Sequence, residues 1–334
     1  ISMISSCPKK KYFIALLLVF VLFSIILSPV TAFAEEAEFV YIGGDIIGFE
    51  ARLNGVLVTE TGYAAVGNWQ VASALKKGDI IRQIEGENVE NAEDIAQILD
   101  KFHDKESVTV VVERNGVLSE EKVCVFYDAV RNKRMFGVEA KDSVCGLGTI
   151  TFTTATGEFY GLGHEVVDFD TGYNVISDRG TLYSAAVTGI VRGKKGAAGA
   201  IKGCLTSKKM GMIDRCGKFG IKGRMIDDYY GNDSFRLGGK ADATMGNAKI
   251  CSAVSGKKEY YDIKIVKTYR QTSKKDKSMI IKVVDSRLLD LTGGIIQGMS
   301  GSPIVQNGII VGAVTHVFTG DPTMGYGVYA DWQR

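Results

Sequence analysis

Hydrolysing an amide takes a nucleophile, a base that accepts its proton, and donors that hold the developing oxyanion. The segment Gly298-Met299-Ser300-Gly301-Ser302-Pro303 offers the first. Glycines beside Ser300 let the backbone turn sharply and approach a substrate closely. The amides of Gly298 and Ser300 can then converge on one point as an oxyanion hole. Three histidines occur: His103, His164 and His316. His103 ends a helical pattern and reads as a helix-end residue. His164, in Gly161-Leu162-Gly163-His164-Glu165, follows a strand pattern and is the expected base. His316, in Val314-Thr315-His316-Val317, reads either as a contact to the substrate side chain or as a strand residue with one buried face. A carboxylate should orient His164. Asp168 and Asp170 lie close to it in sequence and suit bracing its loop. Asp285, ending the apolar run from Met279 to Val284, is the expected acid, with Asp290 as the alternative.

These groups need strands to position them. The run from Ile304 to Val311 reads as a hairpin turning at Asn307-Gly308. A second hairpin fits residues 148–164, turning near Thr156-Gly157. An early strand-end histidine and a late serine on a glycine-flanked loop follow the order of a chymotrypsin-like double β-barrel. No strand-to-helix nucleophile elbow is evident, which argues against an α/β-hydrolase acting on esters. Further towards the N-terminus, Asn54-Gly55 between apolar runs signals another hairpin turn. An amphipathic helix fits Asn91 to Phe102, and residues 108–112 and 122–126 read as closing strands. Residues 128–145 read as a charged connector, and the Lys- and Arg-rich stretch 192–224 as solvated loops and turns. The fold class is mainly β.

The 334 residues are 46% hydrophobic, enough to bury a core, and the length suits two folded units behind a leader. A net charge of +2 predicts no nucleic-acid footprint. Lys9-Lys10-Lys11, the apolar run from Tyr12 to Leu27, and Ala32-Phe33-Ala34 before Glu35-Glu36 read as a signal peptide or membrane anchor over 1–35. Beyond Cys7 in that leader stand Cys124, Cys145, Cys204, Cys216 and Cys251. None has zinc-ligand spacing, so neither metal nor cofactor is expected. They read as scattered buried thiols, with one Cys204–Cys216 bridge left open.

Two resemblances add to this reading. Residues 38–128 resemble a PDZ domain through Ile47-Gly48-Phe49, Gly78-Asp79-Ile80-Ile81, Ile84-Glu85-Gly86 and the helix beginning near Asn91. The resemblance implies that Ile47, Gly48 and Phe49 present backbone amides to a peptide terminus, which adds as a strand. Residues 140–334, through Gly161-Leu162-Gly163-His164, Val283-Val284-Asp285 and the run from Gly293 to Pro303, resemble the stage IV sporulation protein B peptidases. Glu165 departs from the smaller or neutral residue expected after the histidine. Carried over, the catalytic set is His164, Asp285 and Ser300. The resemblance implies export into the forespore intermembrane space, cleavage of a membrane-associated regulator that releases an intramembrane protease, and self-cleavage. The other reading is a catalytically silent adaptor that binds peptide termini.

Overall fold

Strand β2 (Ile46–Thr61) decides the architecture. A computed structural model describes residues 38–66, 69–129, 132–227 and 233–334. The expected leader, 1–35, lies outside them. Among the described residues no helix is long and apolar enough to cross a membrane.

After β1 (Phe39–Ile42), β2 leads into a small module. It holds β3 (Tyr63–Val66), β4 (Trp69–Ala72), β5 (Ile80–Ile84), β6 (Glu87–Asn88), helix α1 (Ala92–Lys101), β7 (Ser107–Arg114), β8 (Val117–Cys124), β9 (Phe126–Asp128) and β10 (Lys133–Met135). The chain returns along β11 (Val138–Thr153), then β12 (Glu158–Leu162), β13 (Gly180–Val191), β14 (Ala200–Gly217) and β15 (Gly220–Met225). The rest comprises β16 (Ser234–Leu237), β17 (Gly246–Ser252), β18 (Glu259–Thr268), β19 (Met279–Val283), helix α2 (Ser286–Thr292), β20 (Pro303–Gln306), β21 (Ile309–Phe318), β22 (Asp321–Tyr329) and a final 3₁₀ turn, Ala330–Trp332.

The pairings close two rings. β2 pairs β11, and the ring continues through β12, β15, β14 and β13 back to β2. A second ring runs through β17, β18, β19, β22, β21 and β20 back to β17. Each is a six-stranded antiparallel barrel filled by its own apolar side chains. β1 and β16 stitch them, since β1 pairs β11 and β16 while β16 pairs β21.

The two-residue period of a strand explains how β2 serves two cores. Ile47, Phe49, Ala51, Leu53 and Leu57 point into the first barrel. Val56 and Val58, of opposite parity, point into the module core with Ile81, Leu99 and Val110. The module is therefore nested inside the β2–β11 hairpin and is not a bead before the barrel. The boundary expected at residue 38 moves into the middle of β2. Asn54-Gly55 is no turn: β2 runs through it, and Gly55, at φ 115°, lets β5 cross close by. A Cβ at Gly55 would lie 2.5 Å from the Ile81 carbonyl oxygen.

The peptide-terminus role expected of Ile47, Gly48 and Phe49 is corrected on the same ground. β11 pairs one edge of this segment and β13 the other, so no free edge remains to take a peptide strand. The expected connector contains the end of β9, all of β10 and the start of β11, because its polar residues alternate with ones packed on the module. The basic stretch 192–224 likewise forms β14 and β15, with cations on exposed faces. The helix matches its expected span, capped at Asn91, whose side chain accepts from the Glu93 and Asp94 amides. Cys204 and Cys216 are both free thiols, one exposed and one buried.

Candidate active site

His164 follows β12 across an unusual turn. Leu162 (φ 67°) and Gly163 (φ 75°) both take left-handed backbone, and the Gly163 amide donates to the Gly161 carbonyl at 2.8 Å. Such backbone is uncommon for leucine and persists only where packing over-determines it. Here the buried Leu162 side chain anchors in the first barrel's core. The turn throws His164 towards the second barrel, where its ring centroid lies 4.7 Å from that of His316 on β21.

The Ser300 loop comes from the other side. Met299 is fully buried in the second core, which fixes the residue before Ser300. Gly298 and Gly301 both have φ 96°. A Cβ at Gly301 would meet the Thr149 carbonyl oxygen at 2.0 Å, so only glycine fits. The first barrel grips this loop. Thr149 Oγ1 donates to the Gly298 carbonyl and Thr151 Oγ1 to the Gly301 carbonyl, each at 2.8 Å. The Thr149 amide donates to the Ser300 carbonyl at 2.9 Å. The Gly301 amide donates to Val314 on β21 at 2.8 Å. Among the described residues, the Gly298 and Ser300 amides have no acceptor.

The imidazole is set by a carbonyl. His164 Nδ1 lies 2.6 Å from the Glu165 carbonyl oxygen. That oxygen only accepts, so Nδ1 carries the proton and Nε2 keeps its lone pair. The Glu165 side chain, the expected departure, has no part in this bond. Burial lowers the His164 pKa, keeping the ring neutral and basic at neutral pH. His316 is pushed down to about 4, first by burial and then by His164 beside it. Its Nδ1 is buried without a partner, and its Nε2 stands 4.0 Å from an Asp276 carboxylate oxygen. Asp276 opposes burial at both rings, raising both pKa values.

Of the expected residues, the structure brings His164, Ser300, Gly298 and His316 to one junction. Asp285 is not there. It caps α2, accepting from the Arg287 amide at 3.0 Å, the Arg287 guanidinium at 2.9 and 3.2 Å, and the Asp262 amide at 3.1 Å. Arg287 holds its carboxyl down at about 2. Asp276 precedes β19 and Asp285 follows it, so the five residues of that strand, rising about 3.3 Å each, put about 16 Å of strand between them. Asp276 is the carboxylate whose charge acts on both histidines, and the sequence reading passed over it because it stands in the charged loop Lys274-Lys275-Asp276-Lys277. Its signal was a lone acid in a basic run just ahead of a strand. Asp168 does brace the histidine loop, accepting from the Thr171 amide and hydroxyl and pairing with Lys141. Asp290 is exposed on α2.

A serine on a glycine-rich loop, gripped between two β-barrels beside a neutral histidine, belongs to the mainly-β serine hydrolases. Residues 132–333 match the family model described as SpoIVB peptidase S55. The chain belongs to that family, the serine peptidases of sporulation. No curated protein matches the chain.

Proposed function

We propose that the chain is a chymotrypsin-like regulatory endopeptidase. Ser300 is its nucleophile, His164 Nε2 its base, and the Gly298 and Ser300 amides its oxyanion donors. The observation that carries this reading is the Ser300 loop itself, with two amides left unpaired while neighbouring polar groups are bound across both barrels. The Ser300 hydroxyl donates to the Thr315 carbonyl at 2.8 Å. Attack requires it to leave that carbonyl and hand its proton to His164. A single such bond contributes about 1 kcal/mol, a small part of a catalytic barrier. The imidazolium formed is held by the Glu165 carbonyl and by the field of Asp276. It then protonates the leaving amine, and water releases the acyl group.

The family resemblance extends the proposal to an exported enzyme acting in the forespore intermembrane space. It cleaves a membrane-associated regulator and itself, the latter between Glu35 and β1, and the module carries a PDZ-type partner-binding role. The bond from Ser300 to Thr315 favours a second reading, a silent adaptor. The test is labelling with a fluorophosphonate probe: wild type takes the label, and Ser300→Ala and His164→Ala do not. Absence of label from folded wild-type protein, with partner binding intact, would establish the adaptor.

A further inference from the structure

The basic stretch that the mechanism leaves unused converges beside the catalytic histidine. Between residues 192 and 224 stand ten Lys and Arg against one acid, Asp214. Where β14 turns into β15, Arg215, Lys218 and Lys222 face Lys274 and Gln333 across a pocket of about 240 Å³. No Asp or Glu lines it. That volume is below the roughly 300–1,000 Å³ of pockets that hold drug-sized ligands, and suits a single side chain.

Two of its walls touch the active site. Gly220 packs on Gly163, since a Cβ at Gly220 would lie 2.6 Å from the Gly163 amide nitrogen. A Cβ at Gly163 would lie 3.3 Å from Gln333 Nε2 and 3.2 Å from the Thr315 methyl. Gly163 precedes His164, and Thr315 holds the Ser300 hydroxyl. The pocket therefore opens next to the catalytic pair.

Its polar groups are under-used. Arg215 and Lys218 have no carboxylate partner among the described residues. Lys274 donates to the carbonyls of Trp332 and Arg334 at 3.5 and 3.3 Å, and its charge also acts on the Asp331 carboxyl. Lys222 is shared between the Tyr160 hydroxyl at 3.4 Å and Glu158 at 3.8 Å. Gln333 is 7% exposed, and its Oε1 is buried without a donor, an arrangement that costs free energy unless something arrives to satisfy it.

We propose that this pocket is a substrate subsite for an acidic side chain, Asp or Glu, within about three residues of the scissile bond. Arg215, Lys218 and Lys274 receive the carboxylate, and Gln333 Oε1 accepts a backbone N–H of the same peptide. The range follows from an extended peptide rising about 3.3 Å per residue over the short span between pocket and Ser300. Cations around a concave mouth focus the field and speed capture of an acidic segment. The proposal rests on the reading of Ser300 and His164 as the catalytic pair.

The test digests a peptide library with the full chain and compares wild type with the double variant Arg215→Glu, Lys274→Glu. Wild type should show Asp or Glu enriched at a fixed position within three residues of the cut. Its kcat/KM on such a peptide should fall as salt rises. The double variant should lose about ten-fold on the acidic peptide and gain on the matched Lys peptide, while still taking the fluorophosphonate label. Arg215→Lys should keep the acidic preference. A labelled enzyme with no acidic preference, or one unmoved by charge reversal, overturns the subsite and leaves the catalytic pair standing. Failure of wild type to label overturns the catalytic pair and the subsite with it. Loss of binding to phosphatidylglycerol vesicles in the double variant, with peptide preference unchanged, assigns the cations to a membrane surface and overturns the proposal.

Discussion

The two barrels are built from the same number of strands and differ in what interrupts them. The second closes on itself, with the Ser300 loop resting on its core through Met299. The first has its β2–β11 hairpin opened by the module, and the turn after its strand β12 carries His164. The difference teaches where information can enter. β2 and β11 run through both the module and the first barrel. The same β11 carries Thr149 and Thr151, which hold the serine loop from outside its own barrel. Among the described residues, the barrel that holds Met299 offers the module no strand of its own.

The largest effects should come from the junction. Ser300→Ala should lower the cleavage rate by about 10⁴-fold or more, as loss of a triad nucleophile does, with thermal unfolding unchanged. A variant that still cleaves at near wild-type rate would remove the second barrel from catalysis. Next comes the seam between module and first barrel. Gly55→Val puts a side chain against the Ile81 carbonyl in left-handed backbone, and should destabilise the chain by about 3 kcal/mol. Unfolding should lose module and first barrel together. A module that melts separately would break the comparison.

The ends of β19 sharpen it further. Asp276→Asn should slow labelling of Ser300 and shift its pH midpoint downward, because Asp276 raises the pKa of both histidines. Asp285→Ala should cost about 1 kcal/mol through the lost cap of α2 and leave that midpoint where it was. The reverse pattern would return the acid role to Asp285. Smallest is the pH response. Burial holds His164 below its ordinary 6.5, so labelling should fall with acid at a midpoint under 6.5. His316 sits at about 4 folded and 6.5 unfolded. The unfolded chain therefore binds its proton first, and this contribution is whole above 6.5 and declines as pH falls towards 4. In His316→Phe protein, an unfolding midpoint that tracks pH across that window as in wild type would exclude this source.

The Ser300 loop and the turn before His164 were legible because their constraints are local. Glycines flanking Ser300 and the turn before His164 write backbone demands into adjacent residues. The Asn307-Gly308 hairpin turn is likewise local, with both residues in left-handed backbone. The cap at Asn91 also reads directly. What failed to read depended on distant partners. Asn54-Gly55 carries the same turn signature, yet β11 and β5 pair across it and keep β2 running. Ile47 to Phe49 fit a peptide-binding loop until β13 takes their second edge. Asp285 and Asp276 flank the same strand, and only the direction of β19 within the barrel decides which one lies by the histidines.

The nested module has a last consequence for covalent continuity. β2 and β11 pair from Thr61–Val138 to Ile46–Thr149. A single cut anywhere within the module would sever the backbone while leaving both fragments knitted along that ladder. The chain would run as two bands under denaturing conditions and as one particle under native ones, so scission inside the module need not release anything.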